Sequence, residues 1–219
     1  MTAHAGGWVR HDWSGSAEEF HSLQPALTRA VWWCQVTQPA LVLGSSQSIK
    51  DVDADVARDA GINIVRRRSG GGAVWVHPHD AVWIDVTIPC TDSLWTDDVT
   101  TSMLWLGEVF RQALAPWVTA DVHTGAYASG PDGKSVCFAS VSPGEVFVGG
   151  NKLVGISQRR TREGARLQCV LYRLWDPSTW AQCLSDTAVR DRIMNMSVAT
   201  LDTASTDIVD AVVAAMPVA

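Results

Sequence analysis

Residues 145–174 read EVFVGGNKLVGISQRRTREGARLQCVLYRL, and this stretch decides the fold. It divides into three β-type runs, EVFVGG (145–150), KLVGISQRR (152–160) and ARLQCVLYRL (165–174), joined by glycine-bearing turns. Gly149-Gly150-Asn151 is a hairpin signal, so the runs should pair antiparallel. Upstream, VWIDVTI (82–88) alternates Val82, Ile84, Val86 and Ile88 against Trp83, Asp85 and Thr87, the period of a strand. VWWCQV (31–36), ALVLG (40–44), INIVRRR (62–68), AVWV (73–76) and VCFAS (136–140) complete the predicted strands. Helices are predicted over 16–24, with Ser16 as N-cap, and over 51–60, stopped by Gly61. A longer one is predicted over 97–115, where Val99, Met103, Leu106, Phe110, Ala113 and Leu114 form one apolar stripe. Two more fall near 177–185 and 205–216. No repeat or linker interrupts the pattern. The expectation is a sheet-rich α+β single domain over 1–219, mostly antiparallel, its strands joined mainly by hairpins with helices packed on the sheet.

With 219 residues, 47% hydrophobic and 18% charged, the chain can fill a core and is not disordered. No apolar run approaches the roughly 20 residues of a membrane span, and MTAHAGGWVRHDW carries no secretion-signal pattern. Cysteines 34, 90, 137, 169 and 183 form no CxxC pair, which suits free thiols in a reducing, cytoplasmic setting. A net charge of −6 speaks against nucleic acid as a partner. Only Lys50, Lys134 and Lys152 are lysines among 17 basic residues. In an arginine-choosing chain, a lysine in a structured segment is notable because it can lose its proton.

Several segments can carry chemistry. In Arg66-Arg67-Arg68-Ser69-Gly70-Gly71-Gly72-Ala73, three glycines let the backbone approach a ligand and offer amides to an anion; the alternative is a plain hairpin beside solvated arginines. Lys152 opens a strand from which its ammonium can reach a pocket floor, or it is a surface lysine. Cys137 is a buried hydrophobe unless a cation such as Lys152 activates it. His77-Pro78-His79-Asp80 lacks the further ligands of a metal site and reads as a polar turn; no metal is expected. Arg159, Arg160, Arg162 and Arg166 form a local basic patch, either a solvated hairpin face or a dock for an acidic partner.

RRRSGGGAV (66–74) followed by NKLVGISQRR (151–160) resembles the biotin/lipoate A/B protein ligase family, lipoate branch, over about residues 40–172. The resemblance implies the family's catalytic-domain fold and protein lipoylation or octanoylation. A lipoyl or octanoyl group would move to a lysine of the lipoyl domain of a 2-oxoacid dehydrogenase or of the glycine-cleavage H protein. By resemblance, Arg67, Ser69, Gly70, Gly71, Gly72, Ala73 and Val74 belong to the substrate loop and Gly155 and Ser157 line the pocket. Lys152 matches the family lysine, and Cys137-Phe138 matches the Cys-Phe pair of octanoyltransferases. A transferase would take its acyl group from acyl carrier protein through a Cys137 thioester and need no cofactor. The alternatives are an ATP- and Mg2+-dependent lipoate ligase, in which Cys137 is packing only, and a non-catalytic lipoyl- or biotinyl-binding relative. The chain is expected to stop at the catalytic domain, without the C-terminal accessory domain of large ligases. It departs from the family at Trp75-Val76-His77 after the glycine loop. It departs again at Gln168-Cys169-Val170, where a His-Gly pair is usual; Cys169 is thereby a second candidate nucleophile, ranked below Cys137.

Overall fold

The computed structural model describes residues 7–218 and the backbone of Thr2–Ala3. Residues 1, 4–6 and 219 lie outside the described residues, and with them part of the N-terminal stretch read above for a secretion signal. In chain order the elements are β1 (Thr2–Ala3), β2 (Val9–Gly15), α1 (Ala17–Ser22), β3 (Ala30–Val36), β4 (Ala40–Leu43), α2 (Ala54–Asp59), β5 (Asn63–Arg66) and β6 (Val74–Val76). There follow β7 (Ala81–Pro89), α3 (Leu104–Leu114), β8 (Asp121–Val122), β9 (Val146–Val148), β10 (Asn151–Arg160), β11 (Gly164–Tyr172), α4 (Thr187–Met194) and α5 (Ser205–Ala214).

The large sheet runs β1-β2-β3-β7-β11-β10-β9-β8 and a small one runs β5-β4-β6. The fold is α+β and mostly antiparallel, as the alternating runs predict. Two pairs, β2–β3 and β4–β5, are parallel, each reached by a crossover carrying a short helix rather than by a hairpin. Alternation along β7 and β11 sends Val82, Ile84, Val86, Leu167, Cys169 and Leu171 into one core with Leu106, Phe110, Ile208 and Val212 of α3 and α5. The opposite face sends Trp83 and Val170 against Leu41, Val42, Val74 and Val76 of the small sheet. The site lies between the two sheets.

Four expectations are corrected, and one strand was not expected. Residues 136–140 are not a strand: Val136 bridges Ala73, and Cys137–Ala139 form a 3-10 turn closed by Ser140, whose amide and hydroxyl both donate to the Cys137 carbonyl. Helix α3 starts at Leu104 rather than 97, because Asp98 accepts from the Thr100 amide at 2.9 Å and the Thr101 hydroxyl at 2.9 Å, folding that segment into turns. Near 177–185 only Trp180–Cys183 turns, as 3-10, and α4 follows at 187 with Asp186 as its cap. Over 51–60 the helix is only α2, capped by Asp53. Strand β2, with its mixed VRHDWSG sequence, carried no periodic signal and is held by pairing with β3. No helix among the described residues is long and apolar enough to cross a membrane.

Candidate active site

Lys152 owes its direction to an irregularity. The pairing of β10 with β9 slips between Lys152 and Val154, so Leu153 and Val154 both enter the helix-side core. Lys152 then emerges on the face of Gly155 and Ser157. A bulge commonly re-aims a side chain in this way. The ammonium, 3% exposed, donates to the Cys137 carbonyl at 3.0 Å and to Glu145 at 2.8 Å. It also lies 5.4 Å from the centre of the Phe138 ring. Cys137 and Lys152 do meet, but from a turn rather than an adjacent strand, and through the Cys137 carbonyl. Glu145, 1% exposed, was not singled out from sequence; its signal was a carboxylate heading an apolar run. It also accepts from the amides of Ser142 (2.7 Å) and Ile156 (3.4 Å). Burial raises its carboxyl pKa against the pull of Lys152.

The glycine loop is braced from within. Arg67, 4% exposed, turns inward and donates to the carbonyls of Gly70 (2.7 Å) and Gly72 (2.9 Å). Gly71 has φ +96°, a conformation that favours glycine. Among the described residues nothing accepts from the amides of Gly70, Gly71 or Gly72. Ala73 ties the loop to the cysteine turn: its carbonyl accepts from the Cys137 amide at 2.9 Å and its amide donates to Ser135 at 2.9 Å.

Beneath the loop, the sheet face is ordered in rows. Trp83, Val170 and Gly155 are paired across β7, β11 and β10; then Asp85, Gln168 and Ser157; then Thr87, Arg166 and Arg159. The middle row is a hydrogen-bonded chain. Asp85, fully buried, accepts from Trp83 Nε1 (2.6 Å), Arg166 (2.6 Å) and Gln168 (3.2 Å). Gln168 accepts from Ser69 at 2.8 Å, and the Ser69 and Ser157 hydroxyls lie 3.3 Å apart. Burial raises the Asp85 pKa although Arg166 opposes it. His21 of α1, 8% exposed, packs on Trp83. Burial, then the charges of Arg166 and Arg67, push it down to about 3, so it is neutral near pH 7.

Three hollows meet here. A narrow chamber has an apolar lining that includes Val42, Val74, Val76, Trp83, Phe138 and Val170. Gly155 gives it room, since a Cβ there would stand 3.0 Å from Phe138. At Cys137 and Ser157 the chamber adjoins a groove lined also by Gly70, Gly71, Tyr127 and Glu145. At His21 and Gln168 it adjoins a wider cleft lined by Arg68, Arg159 and Arg166. Arg67, Ser69, Gly70–Val74, Cys137, Lys152, Gly155 and Ser157 are thus brought to one place. Cys169 is not: it lies on the opposite face, 1% exposed, its thiol pKa raised well above the ordinary range by burial, so it is a packing residue. His77 pairs with Asp80 at 2.8 Å and stacks on Trp75, away from the chamber.

The family model described as the lipoyl protein ligase A/B catalytic domain matches residues 18–216. No curated protein sequence matches the chain. Among solved structures it is similar to a lipoate-protein ligase A bound with ATP, with TM-score 0.71, 18% identity, and 97% of this chain and 84% of that one covered. It is also similar to a bipartite lipoate protein ligase with its E2 lipoyl domain from Thermoplasma acidophilum (TM-score 0.69, 18% identity, 96% and 82% covered). A T. acidophilum protein with bound lipoic acid gives TM-score 0.72 at 16% identity, with 97% and 84% covered. At such identities the structural likeness speaks for the fold, and the match over nearly the whole length speaks for the family. The chain belongs to the lipoyl protein ligase A/B catalytic-domain family.

Proposed function

We propose that this chain is an acyltransferase that moves an octanoyl or lipoyl group, through a thioester on Cys137, to the lysine of a lipoyl domain. The carrying observation is the position of Cys137. It lines both the apolar chamber and the groove, where the carbonyl of a chain seated in the chamber would emerge. The Cys137 thiolate attacks an acyl-carrier thioester; a new C–S bond forms, the carrier's C–S bond breaks, and the carrier thiolate leaves and takes up the proton that Cys137 released. The acceptor lysine then attacks the acyl-enzyme, forming the amide and returning the thiol. The unpaired amides of Gly70 and Gly71 line the same groove and are available to the oxyanion. Lys152 holds the turn that carries Cys137. The six methylenes of a buried octanoyl chain would contribute roughly 5 kcal/mol of binding. The lipoyl domain seen with a relative supports that class of acceptor.

A second reading is favoured by those same amides, which suit a phosphate, and by the bonding of Lys152 to a carbonyl rather than to the thiol. This is the ligase, requiring ATP and Mg2+. Intact mass spectrometry decides between them. The transferase gains one octanoyl increment from octanoyl-carrier protein without ATP, and Cys137→Ser loses the hydroxylamine-labile adduct. The ligase instead needs ATP for any transfer and works normally as Cys137→Ser.

A further inference from the structure

We propose that the acyl site also takes a chain whose far end carries an anion, a carboxylate being the simplest, held in the arginine cleft beyond His21 and Gln168. The inference rests on the acyl-site reading above and concerns the end of the chain remote from Cys137.

The face of the sheet changes character in steps. Along β10 it presents Lys152, then Gly155, Ser157 and Arg159. The rows beside it change from apolar (Trp83, Val170) through hydrogen-bonding (Asp85, Gln168) to basic (Arg166). Successive rows are about 7 Å apart, so the basic row lies about 13 Å beyond the apolar one. A chain with its reacting carbonyl at Cys137 and its body in the chamber therefore points along the sheet to His21 and Gln168, the residues that the chamber shares with the arginine cleft.

An octanoyl end calls for an apolar floor. This chamber instead meets the cleft at neutral His21 and at the amide of Gln168. The charges beyond are unevenly engaged. Arg166 is committed to Asp85 and lies over the Phe20 ring. Arg68 and Arg159 have no carboxylate partner among the described residues, although Glu163 also lines the cleft. The groove at the reacting end has no lysine or arginine in its lining. Charged side-chain donors to an anion thus line the cleft at the far end, whereas the groove lining offers the backbone amides of Gly70 and Gly71. A carboxylate there would gain charge-assisted hydrogen bonds that the methyl end of an octanoyl chain cannot make.

Calorimetry on the full chain with octanoate, decanoate and dodecanoate and with the matching diacids suberate, sebacate and dodecanedioate tests this. One of the diacids is expected to bind about tenfold more tightly than the monoacid of its own length. In Arg68→Gln/Arg159→Gln that ratio should fall to about one. A wild-type ratio near one, or a ratio that the double substitution leaves unchanged, overturns the inference while monoacid binding upholds the acyl site. Should no acid of either kind bind, the acyl-site reading itself fails and takes the inference with it.

Discussion

Lys152 and Glu145 are both within 3% of complete burial, and each is the other's only ion-pair partner among the described residues. Burying an ion pair gains little by itself, whereas removing one partner leaves a charge stranded. Glu145→Gln is therefore expected to destabilise the fold by about 3 kcal/mol. Adding Lys152→Met should recover most of that loss. Urea unfolding of the two single variants and the double variant measures the coupling, and simple additivity would mean that the pair is not coupled. Both residues were legible to different degrees. Lys152 stood out as one of three lysines in an arginine-rich chain and by its motif. Glu145 did not stand out, because only the bulge in β10 brings it to the ammonium.

At the scale of elements, α1 shows how a local signal carries a site residue. Ser16 accepts from the Glu19 amide while the Glu19 carboxylate accepts from the Ser16 amide, a complete capping box. The six-residue helix it starts carries His21 into the wall between chamber and cleft. Ser16→Ala should cost about 1 kcal/mol in urea unfolding and weaken octanoate binding severalfold, with Ser16→Asp restoring both. Octanoate affinity unchanged by the alanine would show that the wall does not depend on the cap. The cap was readable from SAEEF. That the helix would deliver a histidine to the site was not, since nothing within six residues of sequence says what the helix packs on.

At the scale of the whole molecule, stacking a small sheet on a large one buries polar groups that must remain uncharged or paired. His21 refuses a proton until about pH 3, while an unfolded chain takes one near 6.5. The unfolded state therefore binds the extra proton between those values. The stability due to neutral His21 is complete above pH 6.5 and is lost as pH falls toward 3. His21→Gln should flatten the pH dependence of unfolding free energy over that window by up to about 1.4 kcal/mol per pH unit. Urea midpoints taken at intervals across it would show the change, and an identical slope in the variant would assign the acid sensitivity to other groups.

The sequence by itself determined the β7, β10 and β11 strands, the turns within residues 145–174, the apolar stripe of α3 and the glycine loop. Each rests on contacts within a few residues or on the period that one buried face imposes. Tertiary structure decided what those elements do at the site. It turned Val136–Ser140 from an expected strand into a capped turn, because Val136 bridges Ala73 across 63 positions of chain. It turned Arg67 inward onto its own loop and left Arg159 at the cleft, although both read as basic residues at the ends of strands. It sent Cys137 to the chamber and Cys169 to the opposite core. Such outcomes depend on which surfaces meet when the sheets stack, and no local pattern of residues encodes that meeting.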